Sequence, residues 1–421
     1  MPKEQMTEAA ARPLDSVVWV APEQEDERES SVLSHSSTGS VVLGGTPDPD
    51  SVGHPGRDVV PDQGRLPRVS VVLPIRNEAD HIEACLERLL TQDYPKSLME
   101  IVVVDGCSDD GTQEAVRRVK ARNPCVPVRM LVNPKRTVPP AFNAGVCAAL
   151  GSVIVRMDGH TVPDEDYVSR CVTALMSSGA ANVGGVIEPV GTTPFGRAVA
   201  LVMQHPLGAG DARFRVGGEA GDVDTVPFGA FRRDLFERVG LFDESMVRNE
   251  DYEFNVRVRA SGERVYLDPS IRSSYTPRST PRALWGQYFQ YGWWRVETWR
   301  RHPSSLRWRQ ALPPAFVASL LALLVMGLLS TVASVSLVAG LATYFAVVVL
   351  MSWRLAGSSA SVWAVAAAFM ILHVAYGAGF LVSLISGGRY PYRARPPHVP
   401  RFESGVRAVE PAQGSATAAE R

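Results

Sequence analysis

Arg68-Val-Ser-Val-Val-Leu-Pro74 and Glu100-Ile-Val-Val-Val-Asp105 decide the fold. Each is a short apolar run rich in β-branched residues, stopped by a proline or an aspartate and then by polar, turn-forming residues. Continuous Val/Ile runs without polar alternation are what strands buried on both faces look like. Between the two runs, residues 78–92 place Ile82, Cys85, Leu86, Leu89 and Leu90 at helical spacing. A second helix is predicted over Thr112–Arg122, a third strand over Val128–Val132, a third helix over Pro140–Leu150 and a fourth strand over Val153–Met157. Strands alternating with helices imply right-handed βαβ crossovers and a mostly parallel sheet, an α/β fold. In such sheets ligands sit at the carboxyl ends of the strands.

Outward from this block the composition changes. Residues 1–66 are rich in Ser, Gly, Pro, Asp and Glu; the first 64 hold 12 acidic against 4 basic side chains, a local net charge of −8. Such a segment cannot bury enough apolar surface to offset its chain entropy and is expected to be a disordered acidic leader. No positively charged stretch followed by an apolar run opens the chain, so a cleaved signal peptide is not expected. The whole chain of 421 residues carries a formal charge of −1, which gives no pull toward nucleic acid. Its five cysteines show neither C-x-x-C spacing nor a paired histidine motif, a pattern that suits a reducing compartment better than a disulfide framework or a zinc site. Far downstream, about Ala315–Ala333, Val335–Trp353 and Val362–Ile385 are apolar stretches near the ~20 residues needed to span a bilayer.

The strand-end loops hold the residues with chemistry. Pro74-Ile-Arg76-Asn77-Glu78 closes the first strand and offers an amide and a carboxylate; Asp105-Gly-Cys-Ser108-Asp109-Asp110-Gly-Thr112 closes the second. Carboxylates there can accept hydrogen bonds from ribose hydroxyls or a base N–H, with Asp105 the ligand candidate, whereas Asp109 and Asp110 are read first as caps of the next helix. The fourth strand ends in Asp158-Gly-His160. In extended geometry residues i and i+2 point the same way, so both side chains could face one divalent cation; taken alone, the stretch reads first as an Asp-Gly turn with an incidental histidine. Asn249-Glu250-Asp251-Tyr252-Glu253 opens a helix with more carboxylates than capping requires, one of which is suited to act as a general base. Val226–Arg233 is expected to be an irregular loop lining an acceptor site.

In this order and spacing the motifs resemble glycosyltransferase family 2, over about Arg68 to Arg301. The resemblance rests on Pro74-x-x-Asn77-Glu78, Asp105 to Thr112, Ala141-x-Asn143-x-Gly145, Asp158-Gly-His160 and Glu250-Asp251. The Asp-x-His variant is similar to the family's succinoglycan-biosynthesis, ExoA-like subgroup. The resemblance implies a GT-A fold, a Rossmann-like mostly parallel sheet flanked by helices, and an inverting hexosyltransferase. It implies Asp251 as catalytic base, and Pro74, Arg76, Asn77, Glu78, Asp105 and Asp158 as nucleotide-sugar-binding residues. Asp158 and His160 would bind a divalent cation, Mn²⁺ or Mg²⁺. Two positions depart from the family pattern: Gly106 replaces an aspartate associated with base recognition, and His160 replaces the second aspartate of DxD. The donor is then a nucleotide sugar, a UDP-sugar favoured, and the acceptor a lipid-linked glycan or polysaccharide in exopolysaccharide or cell-envelope synthesis. A polyprenyl-phosphate monosaccharide transferase and a non-catalytic sugar-nucleotide-binding scaffold are the competing readings.

Residues 278–312 concentrate Trp, Tyr and Arg ahead of the apolar stretches, as an interfacial helix in contact with membrane lipid requires. Within them Gln290, Trp293, Trp294 and Arg295 resemble a loosened Q-x-x-R-W motif; with Glu250 they are the expected acceptor side. The organisation is therefore a leader at 1–66, a catalytic domain at 67–277, this segment, two or three transmembrane helices at 313–386 and a disordered tail at 387–421. Arginines before the first span favour a multi-pass plasma-membrane protein with a cytoplasmic catalytic domain. Three spans would put Arg389, Arg393, Arg395 and Arg401 outside, against that bias, so two and three crossings both stay open.

Overall fold

The computed structural model describes residues 66–388. The expected leader and tail, but for Leu66 and Gly387-Gly388, lie outside the described residues. Strands β1 (Val69–Ile75), β2 (Met99–Asp105), β3 (Val128–Val132) and β4 (Val153–Arg156) are parallel, in the spatial order β3-β2-β1-β4. They are joined by α1 (Ile82–Leu90), α2 (Thr112–Arg122) and α3 (Val138–Ala148). After β4 come β5 (Thr161–Pro163), α4 (Tyr167–Ser178), β6 (Asn182–Pro189), α5 (Pro194–Met203), and the short α6 (Pro206–Ala209) and α7 (Arg213–Val216). Then follow β7 (Gly221–Asp222), β8 (Ala230–Arg232), α8 (Asp234–Val239), α9 (Glu250–Ala260) and β9 (Val265–Tyr275). These strands continue the sheet as β4-β8-β6-β9-β5, with β7 on β9.

The parallel half is the half legible in the sequence; beyond β4 the sheet is mixed. β8 is antiparallel to both β4 and β6, and β6 is parallel to β9. The stretch Val226–Arg233, expected as an acceptor loop, thus contains a strand in the middle of the sheet, with Ile154 and Asn182 both opposite Phe231. Three residues are too few to show a period, so nothing local announced it.

Both faces of the sheet are covered, which explains the unbroken apolar runs. Val69, Val71, Leu73 and Ile75 of β1 pack with α1, α2 and α4, whereas Val72, Val102, Val104 and Ile154 pack with α3, α8 and α9. Side chains alternate across a strand, and here both sets are buried. The polar Glu100, 1% exposed, is held by Ser70 Oγ at 2.6 Å, the Leu150 N–H and an ion pair with Arg129. Its charge is therefore compensated where three elements meet.

Helices α10 (Pro281–Arg301), α11 (Trp308–Gly327), α12 (Thr331–Ala356) and α13 (Val362–Ile385) complete the described residues. The last three are long and apolar enough to cross a membrane. α11 begins at Trp308 and runs through Pro313 and Pro314. The break before α12 falls at residues 328–330 rather than near 334, because the turn itself contains two leucines and hydropathy does not register it. Leu324, Leu329, Val332, Val338 and Trp353 are exposed, as lipid-facing residues are. α13 is the inner helix of the three and packs against α10. A Cβ on Gly292 would lie 2.0 Å from the Tyr376 carbonyl oxygen, and one on Gly379 equally close to that of Phe289, so only glycine permits this crossing.

Candidate active site

The loops after β1 and β2 are laced together by their own polar groups. The Asn77 N–H donates to Ser108 Oγ at 2.9 Å, the Glu78 N–H to Thr112 Oγ1 at 2.8 Å and the Ala79 N–H to Asp110 at 3.1 Å. Asn77 adopts φ 55° and exchanges two hydrogen bonds with Asp109, donating from Nδ2 and accepting its N–H. α1 starts at Ile82 rather than at Glu78. Asp110 also receives the Thr112 N–H, as its reading as a cap expects. Asp105 is fully buried; it accepts from the Ser108 N–H, Ser108 Oγ and, at 2.6 Å, Gln113 Nε2. It therefore shapes the loop from beneath. Pro74 is buried in β1, while Arg76 is exposed, its stem over Gly106, where a Cβ would stand 3.2 Å from that of Arg76.

Asp158 and His160 lie in a turn closed by the Thr161 N–H donating to the Asp158 carbonyl at 3.0 Å. The extended geometry expected for this pair is thus replaced by a turn, because Gly159 must pass against β1. A Cβ on Gly159 would come within 2.9 Å of Ile75 Cγ2 and 3.2 Å of Glu78 Cγ. This approach brings His160 Nδ1 to 3.0 Å from Glu78 Oε1. Burial opposes a charge on the imidazole, but the Glu78 hydrogen bond and the charges of Asp158 and Glu78 raise its pKa overall.

Beneath the turn lies a residue that the sequence reading missed. Arg156, 4% exposed at the end of β4, pairs through Nε with Asp158 at 3.3 Å and through a terminal nitrogen with Glu250 at 2.9 Å. Its guanidinium also lies 5.8 Å from the Phe142 ring centroid and 5.7 Å from that of Phe242, on a cluster completed by Phe231, Phe236 and Phe254. Burial opposes its charge, but Asp158, Glu250 and Asp251 outweigh burial and hold it protonated. An arginine inside an apolar strand was the available signal, since Arg is almost never fully buried unless paired.

Asn249 takes φ 59° at the start of α9 and makes no side-chain cap, so capping does not account for the acids that follow. Glu250, expected on the acceptor side, is buried against Arg156. Glu253 pairs with Arg257 at 2.8 Å and His302 at 3.0 Å. Asp251 forms no ion pair among the described residues and accepts only the Tyr252 N–H, at 2.8 Å. Burial, followed by the charge of Glu250, raises its pKa to about 6 against the pull of Arg156. The loop before it is anchored by Asn143, whose amide both donates to and accepts from the Phe242 backbone at 2.9 Å.

α10 lies against this same loop. Arg248 Nε donates to Gln290 at 3.2 Å, and Trp293 and Trp294, each 6% exposed, pack with Met246 and Val247. These two rings are thus packed inside the protein, on the face of α10 turned toward the loop. Arg295 places its guanidinium 3.8 Å from the Tyr252 ring centroid. Gln290, Trp293, Trp294 and Arg295 thus pack against residues 246–252, the loop and first helical turn that carry Asp251.

A model of glycosyl transferase family 2 matches residues 70–240. The succinoglycan biosynthesis protein ExoA of Rhizobium meliloti (strain 1021) is 32% identical over 329 residues, covering 75% of this chain and 94% of that protein. The chain belongs to glycosyltransferase family 2. A dolichyl N-acetyl-α-D-glucosaminyl phosphate 3-β-D-2,3-diacetamido-2,3-dideoxy-β-D-glucuronosyltransferase of Methanococcus voltae is 28% identical over 62% of this chain and 82% of its own. The GT-A fold is shared with the mannosyltransferase PcManGT from Pyrobaculum calidifontis, solved with GDP-Man and Mn²⁺, at TM-score 0.54 and 23% identity over 76% of this chain and 89% of that one. This family 2 chain presents, among the described residues, no cage of three or more His, Cys, Asp or Glu for a metal ion. Asp158 and His160 nevertheless offer a donor set that fits such a cation: Glu78 holds His160 Nδ1, which would leave Nε2 to coordinate.

Proposed function

We propose that this membrane-anchored family 2 enzyme inverts the anomeric centre of a nucleotide sugar as it transfers the sugar to a hydroxyl of a lipid-linked or polysaccharide acceptor. The observation that carries this reading is Asp251, the carboxylate of the α9 cluster with no cation partner among the described residues and a pKa of about 6. As base it takes the acceptor hydroxyl proton while the acceptor oxygen bonds to the anomeric carbon. The bond from that carbon to the diphosphate oxygen breaks in line, and the nucleoside diphosphate leaves. Arg156 is the positioning residue that fixes Asp158 and Glu250 around the base. Asn77, Glu78 and Arg76 face the donor on loops shaped by Pro74 and Asp105, and a UDP-sugar is the favoured donor. Asp158 and His160 would hold a divalent cation, Mn²⁺ favoured over Mg²⁺ by the imidazole, which would supply charge stabilisation to the departing diphosphate. The relatives named for succinoglycan biosynthesis and for a dolichyl phosphate-linked sugar support exopolysaccharide or cell-envelope synthesis on a lipid-linked acceptor. Arg295, Arg300, Arg301 and Arg307 ahead of the apolar helices, with Arg309 in the first turn of α11, support a catalytic domain on the cytoplasmic side of the plasma membrane.

The test is thermal stabilisation of the full chain in detergent by UDP-, GDP- and dTDP-sugars, with and without Mn²⁺, for wild type and Asp251→Asn. One base class is expected to raise the melting temperature of both proteins, with transfer lost only in the variant, by 10²- to 10⁴-fold (about that range for an acid–base residue). No response to any donor would sink the enzyme reading; near-normal turnover in Asp251→Asn would assign the base elsewhere.

A further inference from the structure

The arginines on the Asp251 side of the fold divide into those paired with carboxylates and those, Arg215 among them, that are not. Arg156, Arg257, Arg301 and Arg307 each have carboxylate partners. Arg215, on α7, has none within ion-pair distance among the described residues. Its polar contact is a phenol: the guanidinium donates to Tyr275 Oη at 2.7 Å. Aromatic rings complete its surroundings, with the ring centroids of Phe214 at 5.3 Å and Tyr275 at 5.9 Å. Tyr288 and Tyr291 of α10, themselves edge to face at 5.5 Å, lie close enough to feel its charge. A partly buried guanidinium with five donors and no counter-charge is costly unless an anion completes it.

Its place in the fold says which anion. On one side Tyr275 and Tyr288 pack against the apolar cluster built by Ala198 and Val202 of α5, Val348 of α12, and Phe369 and Leu372 of α13, two of which are membrane-type helices. On the other side the Tyr291 carbonyl accepts from Asn249 Nδ2 at 3.5 Å, two residues before Asp251. A ligand bridging these features needs a negative head, an apolar chain that continues along the membrane helices, and a hydroxyl reaching the base.

We propose that Arg215, with Tyr275 against its guanidinium, binds the phosphate or diphosphate ester of the polyprenyl carrier on which the acceptor is built. The proposal rests on Asp251 being the base. It moves acceptor recognition from Arg295, which is stacked on Tyr252, to the seam between the α7 segment and α10. The tyrosines supply hydroxyl donors to ester oxygens, and the guanidinium supplies the charge-assisted pair.

The experiment uses the full chain in phosphatidylcholine nanodiscs that contain undecaprenyl diphosphate, undecaprenyl phosphate or neither, and reads lipid binding through tryptophan fluorescence. UDP and GDP binding are measured in parallel. Wild type is expected to bind at least one polyprenyl ester above the phosphatidylcholine baseline. Arg215→Ala is expected to weaken that binding at least tenfold, Arg215→Lys to restore part of it, and nucleoside diphosphate binding to stay within twofold. Tyr275→Phe, which removes only the hydroxyl, is expected to weaken lipid binding severalfold and tests the site even where Arg215→Ala does not fold. Wild-type binding no tighter than baseline, or unchanged lipid binding in Arg215→Ala and Tyr275→Phe, would overturn the proposal. Loss of nucleotide binding with lipid binding intact would also overturn it, because Arg215 would then serve the donor. Retained nucleotide binding alongside any of the first two results would leave the glycosyl-transfer reading standing.

Discussion

Asp251 ionises against its surroundings, and that has two measurable consequences. The base must be deprotonated to act, so the acid limb of kcat/KM is expected near pH 6. Glu250→Gln removes a neighbouring negative charge and should move that limb to lower pH. For stability, a carboxyl raised from 3.8 to about 6 binds its proton more tightly folded than unfolded. The contribution of that proton is complete below pH 3.8 and is lost as the pH rises through 6. Asp251→Asn is therefore expected to stabilise the protein at pH 7.5, by up to about 3 kcal/mol, and to give no gain near pH 3.5, as read by melting temperature at the two pH values. Arg156 gives the opposite case. Arg156→Met leaves Glu250 and Asp158 without their cation and should cost about 3–5 kcal/mol in chemical unfolding, since one half of a buried pair is stranded. Asp251 was legible because it stands in a local acidic run, whereas Arg156 acquires meaning only from Glu250, 94 residues away.

At the scale of elements, the strand-end turns position the chemistry. The turn at Asp158–Thr161 depends on Gly159 passing under β1, and Gly159→Ala would press on Ile75 and Glu78. Overpacking of this kind costs about 1–3 kcal/mol, and here it should also separate His160 from Glu78. The expected readout is a lower melting temperature together with a weakened Mn²⁺ requirement for donor binding; unchanged values for both would show that the turn yields without strain. The start of α1 makes the same point about boundaries. Apolar periodicity marked its inner face correctly at Ile82, Cys85, Leu86 and Leu89. It gave no sign that the N–H groups of residues 77–79 are bonded to the β2 loop, nor that the helix begins a turn later, at Ile82.

For the whole molecule, the described residues join a covered α/β sheet to three apolar helices through α10. With α11 and α12 exposing leucine, valine and tryptophan to the surroundings, the chain is expected to stay in the membrane pellet after alkaline carbonate extraction. Release into the supernatant would mean that these helices find a protein partner instead. In sealed right-side-out vesicles, added protease should spare the catalytic domain, and in inverted vesicles it should cut it. The same experiment with a C-terminal tag counts the crossings.

The sequence by itself determined the parallel half of the sheet, the family and the apolar helices. These signals are local: a strand buried on both faces must be apolar at every position, and a membrane helix must be apolar over its whole length. It also marked Asn77, Glu78, Asp158 and Asp251, because loop chemistry is compressed into a few adjacent residues. Only the tertiary structure decided that Asp105 lies beneath its loop and that Glu250 serves Arg156. It likewise decided that Trp293 and Trp294 are packed within the protein, and that Arg215 faces tyrosines rather than carboxylates. Each of these depends on partners distant in sequence, and the energy of a buried charge or ring is set by what surrounds it, which no local pattern records.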